Sequence, residues 1–426
     1  MRPRRILKKG LAVLYAAVML VSFCGLAPLA VVAGHLMAVR NQLQRAANAA
    51  ALAGANQLYI QNATGVNPGA NHAAYSVATS SYAEACPIEV NRPDSNDAGV
   101  QRGHWSFATR TFTRSDAGSI LPALYATDSN LEFINAVKVV TRRGAAAGRS
   151  FFEKIVSGMG FGLSAEAVAC VGFAGTLLPG QATAPLAVCK QSITDSGGNY
   201  SCETGRFINS GTKNSGTKNL TGYWTDESNA SGSGCSGIAG TDNNGVSSII
   251  QISGESCNAS NTNVIYMNNW LSTSSGPMQN AFSSFRQCWI DSAGSGQICN
   301  SSAVAGCPDR PWLLTVPVLD CANGSPTCNR VIGAADVDVL WITGDIPDYT
   351  EAPREIGNWK CPEQFTGQQC WKNFVAAFNL QNPDGTPAAY LPRSIYIIPD
   401  CSKHAPTGET GGGPFGVTAG IPELVR

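Results

Sequence analysis

Residues 35–59, which read HLMAVRNQLQRAANAAALAGANQLY, are nearly all strong helix formers and include no proline. The 24 residues before them, Leu11–Gly34 (LAVLYAAVMLVSFCGLAPLAVVAG), carry no charge. Because about 20 apolar residues span a bilayer core, we expect a transmembrane helix over 11–34 that continues into a helical stalk over 35–60. Five basic residues lie before the span, so the N-terminus is expected in the cytoplasm and the remainder outside it: Arg2, Arg4, Arg5, Lys8 and Lys9. A signal peptide cleaved near Gly34 is the alternative.

The stalk carries small residues at intervals of four along one face, beside apolar residues at helical spacing. Such ridges let a second helix backbone approach closely. Two interpretations are open: the face packs on its own domain, or it packs against neighbouring helices in a homo- or hetero-oligomer. The candidate packing residues are Leu43, Ala46, Ala47, Ala50, Ala51 and Gly54.

The stretch Leu43–Ala55, LQRAANAAALAGA, resembles the signature that closes the N-terminal segment of TadE/TadG-like proteins of the bacterial tight-adherence (Flp) pilus machinery. Val32 and Asn48 stand where that family usually has Asp. Tyr15 stands where prepilin-type cleavage at Gly10–Leu11 requires Glu. The resemblance implies a non-enzymatic, single-pass inner-membrane protein. Its body would be periplasmic or surface-exposed, and its partners would be other Tad/Flp assembly proteins or pilin.

The region that follows resembles the TadG-like middle region in the order of its motifs. A G-x-W strand (Gly103, Trp105), an NAV-x-V strand (Asn135–Val139), a helix with Phe151-Phe152, and an A-x-A-V-A strand (Ala165–Ala169) follow one another. We read 104–113 as one strand with Trp105, Phe107 and Thr109 on one face. Residues 61–178 are therefore predicted to form an α+β domain.

Residues 179–426 are predicted to form a β-rich domain. Strand patterns occur at Trp312–Asp320, Ala335–Gly344 and Arg393–Asp400, and 371–381 suggests a strand or short helix. The segments Ala184–Cys189 and Thr315–Cys321 are expected to share one sheet. Between them, about 190–310 is rich in Ser, Gly and Asn and is read as a loop-rich insertion. The Gly-rich tail from Thr407 is expected to be extended or mobile.

The chain has 15 cysteines, and all but Cys24 lie beyond the apolar span. No C-x-x-C pair occurs, so an oxidising compartment and a disulfide framework are favoured over metal binding. A small loop closed between Cys321 and Cys328 would be stabilising if that bond forms, and the sequence does not fix the connectivity. The fold class is therefore α+β: an N-terminal transmembrane helix and stalk, then a mainly antiparallel-β, disulfide-rich body. The disulfide candidates are Cys86, Cys170, Cys189, Cys202, Cys235, Cys257, Cys288, Cys299, Cys307, Cys321, Cys328, Cys361, Cys370 and Cys401.

Catalytic motifs are missing from the sequence. The chain has four histidines, and it contains no H-E-x-x-H, G-x-S-x-G, phosphate-binding loop or C-x-x-C-H sequence. Asp226–Ala230 and Asp291–Ser295 only partly match a D-x-S-x-S metal site, and Thr241–Gly245 lacks the spacing of a calcium loop. The net charge of zero gives no basic face for nucleic acid. We expect no enzyme activity, no cofactor and no metal.

Two other functions compete with that interpretation. A surface adhesin or glycan-binding module could use the same anchor, with exposed tryptophans stacking on sugar rings. An anchored hydrolase would need a paired acid and base that the sequence does not reveal. Against the adhesin stands the expectation that most of the tryptophans fill small cores.

Overall fold

The computed structural model describes residues 4–60, 65–83, 86–91, 96–97, 99–117, 130–143, 162–195, 198, 200–209, 221–232, 234–236, 238–253, 256–274, 278–292, 312–325, 327–344, 348–356, 358–382, 385–401 and 407–426. These residues form an α+β structure whose sheets are mostly antiparallel, as predicted. Its helices are α1 (Arg4–Asn56), α2 (Ala70–Thr79), α3 (Asn243–Ile249), α4 (Gln279–Ser292) and α5 (Gly367–Ala377).

The strands are mostly short, and two of them, β17 and β18, are long. In chain order they are β1 (Tyr82–Ala83), β2 (Cys86–Pro87), β3 (Val100–Ser106), β4 (Thr111–Arg114), β5 (Ala136–Arg143), β6 (Leu163–Cys170), β7 (Phe173–Ala174), β8 (Thr176–Leu177), β9 (Leu186–Cys189), β10 (Arg206–Asn209), β11 (Gly222–Trp224), β12 (Asn229–Ala230), β13 (Gln251–Ser253), β14 (Ser256–Asn258), β15 (Ile265–Tyr266), β16 (Trp270–Ser272), β17 (Trp312–Ser325), β18 (Cys328–Ile342), β19 (Glu355–Ile356), β20 (Trp359–Lys360), β21 (Ser394–Pro399), β22 (Thr410–Gly412) and β23 (Glu423–Leu424).

The first unit is a five-stranded antiparallel sheet in the order β23-β6-β5-β3-β4, with α1 and α2 packed on it. β5 and β6 pair along their whole length, from Ala136↔Cys170 to Arg143↔Leu163. Val137 and Val139 of β5 are buried, whereas Lys138 between them is only half-buried, which is the period-two pattern of a sheet with one covered face. The helices cover that face.

The segment 104–113 corrects one prediction. Instead of a single strand, β3 and β4 form a hairpin with the register His104↔Thr113 and Ser106↔Thr111. The turn passes through Arg110, whose φ of 54° lies in the left-handed region. The alternation of apolar and polar residues continues through this turn, and no Gly or Pro marks the turn. A prediction from periodicity alone therefore joins the two strands into one. The predicted helix over 148–160, with Phe151-Phe152, lies outside the described residues.

The second unit is built on an eight-stranded sheet whose main path is β10-β21-β18-β17-β9-β11, with β16 and β12 attached to β18. The long hairpin of β17 and β18 forms its centre. β9 joins β17 in parallel through Val318↔Val188 and Leu319↔Cys189, which confirms that the segments around 184–189 and 315–321 share one sheet. The ambiguous segment near Trp371 is helical in α5.

The segment 190–310 contributes more than loops. It supplies β10, β11, β12 and β16 to the large sheet, and both α3 and α4. Trp224, Phe282 and Phe285 from this segment are at most 1% exposed in the main core. Large aromatic side chains therefore bury the apolar area that its few aliphatic residues cannot supply.

Among the described residues, five disulfides link the second unit, which confirms the disulfide framework. Cys321 and Cys328 do not pair with each other, because each is bonded to a cysteine of another strand or loop. Cys86 and Cys170 have free thiols, contrary to the expected complete set, and Cys299 and Cys307 lie outside the described residues. The bonds are Cys189–Cys321, Cys202–Cys401, Cys235–Cys328, Cys257–Cys288 and Cys361–Cys370.

The Gly-rich tail packs on both units, which corrects the expectation that it is merely extended or mobile. β22 pairs with β7, and β23 pairs with β6 through Leu424↔Ala169 at the edge of the first sheet. Between these strands, Phe415, Val417 and Ala419 are at most 5% exposed. The tail therefore ties the second unit to the first.

Candidate functional site

The long helix α1 has two parts with opposite environments. Its 53 residues run without interruption from Arg4 to Asn56. In the first part, the aliphatic side chains between Val13 and Val21 are 58–72% exposed. In the second part, burial begins at Val39 and continues to Ala55. One rigid element therefore carries an uncovered apolar segment and a segment that belongs to the core of the first unit.

The small-residue face of α1 packs inside its own chain. All six predicted packing residues are buried: Leu43, Ala46, Ala47, Ala50, Ala51 and Gly54. A Cβ added at Gly54 would lie 2.8 Å from Cγ1 of Val137 and 2.9 Å from Cβ of Ala74, so only glycine fits between α1, α2 and β5. Within the single chain these residues pack against α2 and the first sheet, which is the intramolecular arrangement.

Hydrogen bonds attach α1 and the residues just after it to the rest of the first unit at three positions. The Thr141 hydroxyl donates to the carbonyl of Leu43 at 3.1 Å. The Gln44 amide donates to the carbonyl of Glu166 at 2.9 Å and to Oδ1 of Asn48 at 2.9 Å. At the far end, the buried Tyr59 hydroxyl donates to the carbonyl of Ile134, and burial raises the pKa of Tyr59 far above its usual value.

The contact between Gln44 and Asn48 explains one departure from the family signature. Asn48 stands where the family usually has Asp, and its amide oxygen accepts the hydrogen bond that a carboxylate would accept. Asn48 is half-buried against the sheet. A neutral acceptor therefore fills the position without placing a charge in a partly desolvated site.

Sequence motifs that hinted at metal sites have structural roles. Asp226 accepts a hydrogen bond from the amide of Ser228, and Asp242 caps α3 by accepting from the amide of Gly245 at 2.8 Å. Within the described part of the chain, no group of three His, Cys, Asp or Glu residues is arranged to hold a metal. Residues 293–295 of the second D-x-S-x-S-like motif lie outside that part.

Two histidines have structural contacts in the first unit. Nδ1 of the buried His104 lies 2.8 Å from the carbonyl of Phe133, and its ring packs against the Phe133 ring. His72 stacks on Tyr75 along α2. His35 lies half-buried near the start of the buried part of α1, and His404 lies outside the described residues.

The tryptophans fill cores. Trp105, Trp224, Trp289, Trp341 and Trp371 are at most 5% exposed, and Trp270, Trp312 and Trp359 are half-buried. Trp371 packs edge-on against Tyr390 and Tyr396 and donates its indole N–H to the carbonyl of Ala388. The expectation that most tryptophans are core residues is confirmed.

Glu227 is a buried acid that the sequence did not single out. It is 0% exposed and has a left-handed φ of 64°. Oε2 accepts from the amide of Thr262 at 3.0 Å, while Oε1 has no hydrogen-bond partner among the described residues. The pKa of Glu227 is raised to about 7, chiefly by burial; the hydrogen bond from the Thr262 amide opposes this shift, and the nearby charge of Asp226 adds to it. The sequence signal is weak, since "DES" reads as an exposed turn.

A groove of about 410 Å³ lies beside α5, with Trp371, Val375 and Leu380 in its apolar wall. Two polar side chains at its rim, Asn379 and Gln381, form hydrogen bonds within the protein. Asn379 donates to the carbonyl of Glu203, and Gln381 donates to Oδ1 of Asn379. These bonds hold the rim against the loop before β10, so they serve the fold of the second unit.

Among the residues that the structure describes, none of the helices is both long enough and apolar enough to cross a membrane.

Comparison with known proteins gives one family. Residues 36–169 match the model of the Tad-like Flp pilus-assembly family. The match begins in α1 just after the apolar segment and ends inside β6, so it covers α2 and the strands β3 to β6 of the first unit. No match was found among curated proteins or among solved structures.

The match confirms the resemblance to tight-adherence pilus proteins that the Leu43–Ala55 signature suggested. Residues 36–169 are therefore similar to a Tad-like Flp pilus-assembly domain. The second unit, which begins after β6, lies outside the match. The comparison therefore supports a role in pilus assembly, and the match that supports it lies in the unit built on α1.

Proposed function

We propose that this protein is a non-enzymatic component of a Tad-type Flp pilus assembly apparatus, held in the bacterial inner membrane by the first part of α1. The single observation that carries the proposal is the continuity of α1. The helix leaves the pilus-assembly domain and continues as an apolar rod, whose side chains from Val13 to Val21 contact nothing in the body. Lipid is the environment in which such a surface is stable.

The proposed orientation follows from the charges at the ends of the rod. Basic residues precede Leu11, and the body follows Gly34, so the N-terminus is cytoplasmic and the body faces the periplasm or the cell surface. Disulfides in the second unit agree with an oxidising compartment. Other assembly proteins or pilin are the proposed partners of the body, and the domain packed on α1 holds that body at a fixed height.

The anchor is tested by placing charges on the uncovered part of α1. Val18→Asp together with Val21→Asp introduces two carboxylates, each costing about 2.5–3.5 kcal/mol in a bilayer. We expect the variant to leave the membrane fraction after carbonate extraction and to fail to restore piliation in a strain that lacks the wild-type copy. The matched control is Ala49→Asp, an exposed position on the buried part of the same helix.

Two outcomes would redirect the proposal. If the double variant stayed in the membrane and supported normal piliation, α1 would not be the anchor. If the wild-type protein were found mainly in sheared surface material with an N-terminus near Gly34, the adhesin interpretation would take first place. N-terminal sequencing of both fractions distinguishes these cases, including a start at Leu11.

A further inference from the structure

The body of the protein starts very close to the end of the apolar segment. Among the described residues of α1, Val39 is the first that is buried, and it lies five residues after Gly34. At 1.5 Å per residue this separation is about 7.5 Å along the helix. The headgroup layer on each side of a bilayer is about 5–8 Å thick. If α1 is inserted to Gly34, the first unit therefore begins inside the headgroup layer or directly on it.

The strand register identifies which residues form this end of the first unit. Thr141 contacts the carbonyl of Leu43, whereas Val137 faces Gly54, so β5 runs along α1 toward the apolar segment. Leu43 lies about 13.5 Å beyond Gly34, and one strand residue advances about 3.3 Å. Arg142 is therefore about 10 Å from the level of Gly34, close to the height of Arg40, which lies about 9 Å from it.

The hairpin of β1 and β2 extends still closer to the membrane. Glu89 bridges Arg142 in antiparallel fashion, so the residues before Glu89 continue past the end of β5. Pro87 lies two positions farther along and pairs with Tyr82. Ala83 and Ile88 of this region pack in one cluster with Val39 and fix the hairpin beside α1.

These residues have the chemistry of a headgroup contact. We define the base as Arg40, Tyr82, Glu89 and Arg142. All four are exposed, and the Tyr82 ring is 63% exposed. Neither Arg40 nor Arg142 forms an ion pair with another described residue. A guanidinium group can donate two parallel hydrogen bonds to one phosphate, and tyrosine side chains are enriched at the membrane interface.

We propose that Arg40 and Arg142 of the base bind the phosphate groups of anionic phospholipids and thereby fix the rotation and tilt of the body on the inner membrane. The inference rests on the proposed insertion of α1. A helix alone leaves the body free to rotate about the helix axis, whereas arginines on α1 and on β5 give two points of attachment on different elements. β6 then rises from the base, and its seven steps place Cys170 about 23 Å above Leu163.

The contact is tested with the full-length chain in lipid nanodiscs that contain phosphatidylcholine and phosphatidylglycerol. A photoreactive benzoylphenylalanine replaces Tyr82, and lipid adducts are measured by mass spectrometry after illumination. The control carries the same residue at Tyr266, which is 47% exposed in the second unit. We expect phospholipid adducts at position 82, enriched in phosphatidylglycerol, and none at position 266.

Charge variants test the recognition of phosphate. Arg40→Gln with Arg142→Gln should lower the enrichment of phosphatidylglycerol among the position-82 adducts by about fivefold or more, since one surface arginine contributes about that factor. Glu89→Gln removes a negative charge from the residue that bridges Arg142, and it should therefore raise the enrichment of phosphatidylglycerol. Equal enrichment in all three proteins would show that the arginines do not bind the lipid phosphates.

The outcomes separate this inference from the proposed function. A protein that resists carbonate extraction but gives no lipid adduct at position 82 would overturn the inference and leave the anchor intact. A protein that does not enter the nanodisc would overturn the anchor itself.

Discussion

Ala49 and Ala50 are neighbours on one helix, yet only one of them is buried. Ala50 is 0% exposed among α2 and the central strands of the first sheet, whereas Ala49 is exposed. Adding the same side chain at both positions separates packing within the chain from packing between chains. We expect Ala50→Leu to lower the free energy of unfolding by about 1–3 kcal/mol through overpacking.

The control, Ala49→Leu, is expected to change stability by less than about 0.5 kcal/mol, as is usual for a surface position. The measurement is the thermal unfolding midpoint of both purified proteins in detergent. If Ala50→Leu left the midpoint unchanged and still abolished piliation, this face would be an interface between subunits after all.

Glu227 should give the protein a measurable pH dependence. Its pKa in the folded state is raised to about 7, chiefly by burial, above the ordinary value of 4.5. Between these pH values the unfolded chain has released the proton and the folded chain still holds it, so stability falls as the pH rises through this window and levels off above it. The difference between the two pKa values corresponds to about 3 kcal/mol.

Glu227→Gln removes the titrating group and keeps the size of the side chain. Its unfolding midpoint, measured at pH 5 and pH 8, should change less between the two values than that of the wild type. Asp242→Asn serves as the control, because Asp242 is an exposed helix cap. Parallel pH profiles for wild type and Glu227→Gln would contradict the raised pKa.

At the scale of elements, regular strands were predictable where aliphatic residues follow the sheet pattern. The strands at Trp312–Ser325, Cys328–Ile342 and Ser394–Pro399 are central, and apolar or alternating segments mark them. That β9 and β17 share one sheet was also predictable from two similar segments, whereas their parallel pairing was not. The small residues of α1 were recognised, but their partner was not, because spacing on a helix does not reveal which chain covers it.

The missed elements lie where burial depends on distant residues. Trp224 and Phe285 meet edge-on at 5.6 Å although 61 positions separate them in a polar segment. Single aromatic residues give no periodicity, so β11 and α4 could not be read from the local pattern. The tail was missed for a similar reason, since Phe415, Val417 and Ala419 are isolated among glycines.

Two disulfides of very different loop length allow a test of how the second unit is stabilised. Cys189–Cys321 joins β9 to β17 across a separation of 132 residues, and Cys361–Cys370 spans nine. In the chain-entropy model they contribute about 5 and about 2.5 kcal/mol. Each disulfide is removed in a separate variant in which both of its cysteines are replaced by serine. Under oxidising conditions, we expect loss of Cys189–Cys321 to lower the unfolding midpoint more than loss of Cys361–Cys370. Equal losses would mean that local packing, and not loop closure, sets the effect.

At the scale of the whole molecule, the tail couples the two units. Phe415 packs in the main core of the second unit, where Gly333 and Gly413 make room for its ring, and Ala419 packs in the core of the first unit. Beyond Ala419, the amide of Val425 donates to the carbonyl of Val168 at the edge of β6. A mutation that weakens the packing of the tail in the second unit should therefore also destabilise the edge of the first unit.

Phe415→Ala creates a cavity and should destabilise the protein by about 3–5 kcal/mol. We expect hydrogen exchange to quicken in peptides that contain Val168 and Val425, while peptides from residues 43–55 of α1 keep their protection. Leu424→Ala is the matched control, because Leu424 is 36% exposed at the sheet edge and its truncation leaves no cavity. If Phe415→Ala accelerated exchange only within the second unit, the tail would be a passive extension and the two units would be stabilised independently.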